Sequence, residues 1–107
     1  MKIIRDKPYA EAEVTDMMQI PRNEKNEIDY AQLGMDIEHN MGQKDREEFW
    51  KKFQFSTDSA MSTLGTYCRF KWHATRDRLA GNIGAAEISD KNADTVYEQN
   101  IKPENRW

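Results

Sequence analysis

The sequence predicts a mainly α fold: three or four helices in one small domain, preceded by a short N-terminal β-hairpin or an extended arm. Three observations carry this. The chain has 107 residues, room for one ordinary core and not for two. Its apolar residues recur at steps of three and four over residues 30–41, 49–53 and 57–86, the period of a helix buried along one face. Its prolines stand at 8, 21 and 103, outside all of those stretches. Proline lacks an amide hydrogen and clashes with a preceding helical turn, so these positions read as boundaries.

The first twenty residues supply the hairpin or arm. Tyr9-Ala10-Glu11-Ala12-Glu13-Val14 alternates, with Ala10, Ala12 and Val14 on one side and the acids on the other. Asp6-Lys7-Pro8 would turn residues 2–5 back onto this stretch. Two strands alone are marginal, so the same residues read equally as an arm that orders on a partner.

Residues 21–27 read as loop, after which Asn26 is placed to cap a helix, with Asp29 three residues on. Tyr30, Leu33, Ile37 and Met41 then share one helical face, and Gly42 supplies a left-handed stop. Gly34 inside this helix costs about 1 kcal/mol relative to alanine. It marks either close packing against another backbone or a weak helix. Asp45 with Glu48 is the next cap signal, followed by Phe49, Trp50 and Phe53, with Phe55 continuing the cluster. Each large aromatic, fully buried, contributes roughly 2–3 kcal/mol.

The longest pattern follows. Behind a cap at Ser56 or Thr57, residues Met61, Leu64, Cys68, Trp72, Leu79, Ile83 and Ala86 recur at helical spacing, Thr75 filling one step, with Gly81 and Gly84 placed to end the helix early. Residues 66–74 also alternate, Cys68, Phe70 and Trp72 against Tyr67, Arg69, Lys71 and His73. That favours a second architecture, α+β with a strand at 66–74. The helical pattern is much the longer of the two and decides for helix. Ala93, Val96, Tyr97 and Ile101 predict a last helix entered from Asp90 or Asn92 and stopped by Pro103. The tail, 102–107, ends on Trp107, expected to dock on the chain itself or on a partner because an exposed indole costs solubility. The expected core is Leu33, Ile37, Phe49, Trp50, Phe53, Met61, Leu64, Cys68, Trp72, Leu79 and Ile83.

Composition narrows function mostly by exclusion. Charged residues are 33% of the chain and the hydrophobic types 37%, with no apolar run near the ~20 residues of a membrane span. Met1-Lys2-Ile3-Ile4-Arg5-Asp6 turns charged before any signal-peptide core develops, which points to a cytoplasmic setting. One cysteine, Cys68, excludes an intrachain disulfide framework and a cysteine zinc site. Asp36 and His39 are spaced to meet on a helix, but a carboxylate-bridged metal site needs a second such pair, and His73 is preceded at that spacing by Phe70. Gly81-Asn82-Ile83-Gly84 has no strand before it and no Lys-Ser/Thr after it, so it is a helix stop before it is a phosphate loop. Cys68 lies on an apolar helix face, where a thiol is inert. No enzyme signature, metal or cofactor is expected.

Charge is placed in blocks within a net of −3: residues 11–48 hold eleven acids and four bases, residues 66–80 four bases and one acid. The plainest explanation is that the two blocks complement one another within the fold or between subunits. The leading functional expectation is a non-enzymatic regulator or inhibitor that occupies the surface of a partner protein, in a host cell if the source is viral. Glu24, Glu27, Asp29, Asp36 and Glu38 would make the contact. The alternative is a nucleic-acid or nucleotide binder using Tyr67, Arg69, Lys71, His73, Arg76 and Arg78, where aromatics interleave with cations. A third is a structural subunit of a larger assembly such as a virus particle. A core this thin for its length predicts self-association, as a dimer. In style (short, acidic, rich in methionine and tryptophan, without a catalytic signature) the chain resembles small proteins encoded by bacterial viruses. No residue-level motif ties it to a family.

Overall fold

The computed structural model describes residues 21–107; the N-terminal hairpin or arm expected over 1–20 lies outside them. Four α-helices follow in order: α1, Tyr30–Asn40; α2, Gln43–Phe53; α3, Ser59–Leu79; and α4, Ile83–Gln99; a 3-10 turn closes the chain at Pro103–Asn105. The domain is mainly α, as the apolar spacing predicts. Residues 66–74 lie wholly inside α3, which overturns the α+β alternative.

α3 is the spine. Its 21 residues make a rod about 31 Å long, and α2 and α4 both pack along it, while α1 meets α3 and the 3-10 turn. One apolar cluster holds these together: Leu33 and Ile37 from α1, Phe49 and Phe53 from α2, Met61, Leu64 and Cys68 from α3, and Ile101 beyond α4. The α3–α4 pair uses small residues instead. Ala74, Ala86 and Ala93 are fully buried, which lets the two backbones approach closely, with Tyr67 meeting Tyr97 at ring centroids 6.2 Å apart.

The caps fall a few residues from their expected places. Asp29, not Asn26, caps α1, its carboxylate accepting from the Gln32 amide at 3.0 Å. Asn26 instead takes a left-handed turn conformation, φ 63°, in a loop where Asn23 Oδ1 accepts from the Lys25 and Glu27 amides. Gly42 is not a left-handed stop: its φ of −75° and ψ of 171° are extended, and it leads directly into α2. Asp45 therefore sits inside the first turn of α2 and not at its cap. Asp58, not Ser56 or Thr57, caps α3. At α1 and α3 several short polar side chains compete within a few residues, and the one whose carboxylate reaches the third amide of the helix wins, whereas α2 starts from Gly42 without a side-chain cap.

Asp58 also has a second task. Oδ1 accepts from the Met61 amide at 3.1 Å while Oδ2 accepts from the Tyr30 hydroxyl at 2.8 Å, so one carboxylate starts α3 and ties α1 to it. Burial, reinforced by Asp58, holds the Tyr30 hydroxyl above the ordinary tyrosine range. Asp58→Ala is expected to cost about 2 kcal/mol, the cap and an orphaned hydroxyl together. Asp58→Asn, a competent cap, should recover at least half of that in urea unfolding.

The largest departure is at the C-terminal end of α3. The expected run through Leu79, Ile83 and Ala86 is two helices, not one. Gly81 adopts φ 85°; its amide donates to the Arg78 carbonyl at 3.2 Å, and the Asn82 amide donates to the Asp77 carbonyl at 2.7 Å. That pair of bonds is the Schellman turn, which closes a helix on a left-handed glycine. The chain reverses and α4 begins at Ile83, well before Asp90. Leu79 and Ile83, placed in the core by a continuous 3.6 pattern, are instead 82% and 50% exposed. Phe55, beyond the end of α2, is 87% exposed and does not join the aromatic cluster. Trp50 and Trp72 are half-buried.

Candidate functional site

Of the acidic residues singled out in the sequence, Glu24, Glu27 and Asp29 line one open groove at the loop before α1, with Asn23 and Lys25, while Asp36 and Glu38 stand on α1 itself. Glu24 and Glu27 are exposed on the loop before α1. Asp29 is committed to the α1 cap. Asp36 accepts from Gln32 and Asn40 along its own helix at 3.0 and 3.3 Å. Glu38 faces inward: Oε2 accepts from the Trp107 indole at 2.6 Å and Oε1 from the Tyr67 hydroxyl at 3.4 Å. Trp107 lies over Gly34 and packs edge-on against Tyr67 and Tyr97, while the Tyr97 hydroxyl donates to the Trp107 carbonyl. Glu38 therefore serves the fold, as the acceptor of a docked strap.

The basic segment is similarly divided. Tyr67 is 5% exposed, so its ring is not on the surface, and burial beside Glu38 raises its hydroxyl above the ordinary range. Lys71 and Arg78 share one carboxylate of α4, Asp90, at 3.6 and 2.6 Å. Arg76 lies over the Trp72 ring at 5.2 Å and reaches Asp77 at 3.3 Å. Arg69 lies 5.5 Å over Phe70. His73 packs among the Trp50 and Trp72 rings; burial, with Arg76 and Arg69 nearby, lowers its pKa and favours the neutral imidazole. Lys71 and Arg78 are thus balanced by α4, and Arg76 by its own neighbour Asp77.

What the structure does bring together lies at the α3–α4 turn. Leu79, Ile83 and Ile88 are all exposed, Ile88 by 64%. Leu79 and Ile83 flank the turn itself, while Ile88 stands five residues further along α4 and on a different face of it. Beside Leu79 runs an open groove of about 550 Å³ between the start of α2 and the end of α3, lined by Gln43, Lys44, Glu47, Trp72, Arg76, Leu79 and Ala80. Gln43 fixes its floor by donating to the Trp72 carbonyl at 2.9 Å. The groove has an apolar base, Trp72 and Leu79, and a lip that carries both signs of charge.

The sequence held one clue to this surface. Gly81-Asn82 is a helix stop, and once the helix stops, the 3.6 pattern restarts in a new phase, so Leu79 and Ile83 no longer share a buried face.

Other chemistry finds little support. Cys68 is fully buried, and burial pushes its thiol up to about 12, with Arg46 only partly opposing; a reactive thiolate needs the reverse. Among the described residues, no three histidine, cysteine or carboxylate side chains converge as a metal would require. No helix among them is long and apolar enough to cross a membrane. Comparison with protein-family models, with curated proteins and with solved structures gave no match in any of the three.

Proposed function

We propose that this protein is a non-catalytic binding module that acts by occupying the surface of a protein partner, in the manner of a regulator or inhibitor. Its contact surface is the α3–α4 tip with the adjoining Trp72 groove. The observation that carries this reading is the exposure of Leu79 and Ile83 on either side of the α3–α4 turn, with Leu79 lining the Trp72 groove. Covering apolar area is worth about 25 cal/mol per Å², and a rim of mixed charge gives such a patch its selectivity. The acidic set contributes less than its sequence suggests, since Asp29, Asp36 and Glu38 are engaged within the fold, and Glu24 and Glu27 are the exposed acids of the groove before α1.

Affinity capture from a native extract tests the assignment. Proteins retained by the wild type are expected to be lost with Leu79→Glu or Ile83→Glu and kept with the Glu24→Gln, Glu27→Gln pair. The opposite pattern, capture abolished by the acid replacements and indifferent to the tip, sinks the tip as the contact surface.

A further inference from the structure

We propose that the slot beneath Trp107 is a peptide-recognition site, that residues 102–107 are its tethered occupant, and that a segment carrying an arginine–tryptophan pair exchanges with them. The slot is built by α1, α3 and the end of α4. It is separate from the α3–α4 tip, and the proposal does not rest on the reading of that tip.

The slot holds Trp107 by groups that recognise a chemistry as well as a shape. The ring lies where a side chain at residue 34 would stand, so Gly34 leaves a space that fits an indole. Tyr67 and Tyr97 meet it edge-on, with centroids 5.2 and 4.8 Å away. Glu38 Oε2 accepts from the indole N–H at 2.6 Å, a donor that a phenyl ring lacks. The Tyr97 hydroxyl donates to the main-chain carbonyl of Trp107, so the slot reads tryptophan as a residue of a peptide and not as a free indole. The preceding residue is read too. Arg106 lies 5.8 Å over the Tyr97 ring and donates to the Ile101 and Glu98 carbonyls at 3.1 and 2.6 Å.

Strap and slot are separable. Within the strap the Asn105 amide donates to the Lys102 carbonyl and the Arg106 amide to the Pro103 carbonyl, and those bonds travel with it. Ile101 belongs to the apolar cluster, whereas residues 102–107 are exposed or half-buried, so the strap can leave while Ile101 stays seated. The slot keeps its form meanwhile. The buried Tyr67 donates to Glu38 Oε1 at 3.4 Å and holds the carboxylate in place. A tethered occupant acts as a local concentration on the order of millimolar, and a free segment of the same chemistry competes with it by mass action.

The probe is a blocked peptide with the sequence of residues 102–107, titrated by calorimetry into the full chain and into its Trp107→Ala variant. The variant is expected to bind about a hundredfold more tightly, because the wild-type slot is open only about one part in a hundred. The same peptide carrying 1-methyltryptophan, which has no indole N–H, should bind about tenfold more weakly. Adding Glu38→Gln to Trp107→Ala should narrow that difference. Free indole should bind more weakly than the peptide.

A second measurement does not depend on how the variant folds. In wild-type protein labelled with 5-fluorotryptophan, millimolar unlabelled peptide should move the Trp107 fluorine signal to its solvent-exposed position and leave those of Trp50 and Trp72 in place. A peptide that fails to displace Trp107 overturns the proposal, as does a folded Trp107→Ala protein that binds no peptide. Equal binding of the methylated and unmethylated peptides overturns it as well, and indole binding as tightly as the peptide removes the peptide assignment. The response of partner capture to Leu79→Glu bears on the tip alone.

Discussion

Gly34→Ala is expected to destabilise the fold by about 2 kcal/mol, although alanine is the better helix former by about 1 kcal/mol. A methyl group at Gly34 would stand 2.3 Å from the Trp107 ring atoms Cε3 and Cζ3, so the indole must leave. With it go the edge-on contacts to Tyr67 and Tyr97 and the hydrogen bond to Glu38. Loss of a partly buried indole and of its bond to a carboxylate is worth about 3 kcal/mol, and the helical gain offsets a third of it. The sign distinguishes this account from a generic weakening of α1. In a Trp107→Ala background the clash is gone, and Gly34→Ala should then stabilise by about 1 kcal/mol. Urea unfolding of the two single variants and the double variant measures the coupling. Additive effects would mean that Trp107 is not seated on Gly34.

This contact shows where sequence reading stops. Gly34 is legible as a helix-weakening residue that wants a reason, and Trp107 as an indole that wants a dock. Nothing in one dimension joins them, because the two sites are 73 residues apart along the chain. Glu38 is open to misreading for the same reason: it lies in a stretch with an excess of acids, which suggests a charged surface, while its partners Tyr67 and Trp107 come from α3 and the closing strap. The helices themselves were legible because a period of 3.6 is a local signal. Their junction was not, since Leu79 and Ile83 keep that period across Gly81 and only the left-handed turn takes them out of register. The basic segment likewise reads as a stripe until α4 folds back and places Asp90 between Lys71 and Arg78.

Gly65→Ala is the second large effect, and here nothing can step aside. A Cβ at Gly65 would lie 2.6 Å from the Gln54 amide nitrogen, 2.8 Å from the Phe53 carbonyl carbon and 2.9 Å from Gln54 Cα. All three are backbone atoms. That segment is held from several sides: the Gln54 amide donates to the Trp50 carbonyl at 3.1 Å, the Ser56 amide to the Phe53 carbonyl at 3.0 Å, and the Ser62 hydroxyl to the Gln54 carbonyl at 2.6 Å. The strain must therefore be relieved by moving α2 as a body away from α3, which loosens Phe49 and Phe53 against the core. Overpacking of this kind costs 1–3 kcal/mol and more when rigid groups collide, so a net loss of about 2 kcal/mol or more is expected after the gain in helix propensity. Gly84→Ala is the matched comparison. It too lies in a helix, but no atom stands within 4 Å of its added Cβ, so it should stabilise by about 0.5 kcal/mol or more. Opposite signs at the two glycines, read by thermal and urea unfolding, would locate the α2–α3 separation in backbone contact at Gly65. The consequence reaches the proposed surface, because the groove is bounded by the other end of the same two helices, at Gln43 and Trp72. A Gly65→Ala protein that still folds should show the Gln43–Trp72 floor splayed and partner capture weakened, with every residue of the tip unchanged.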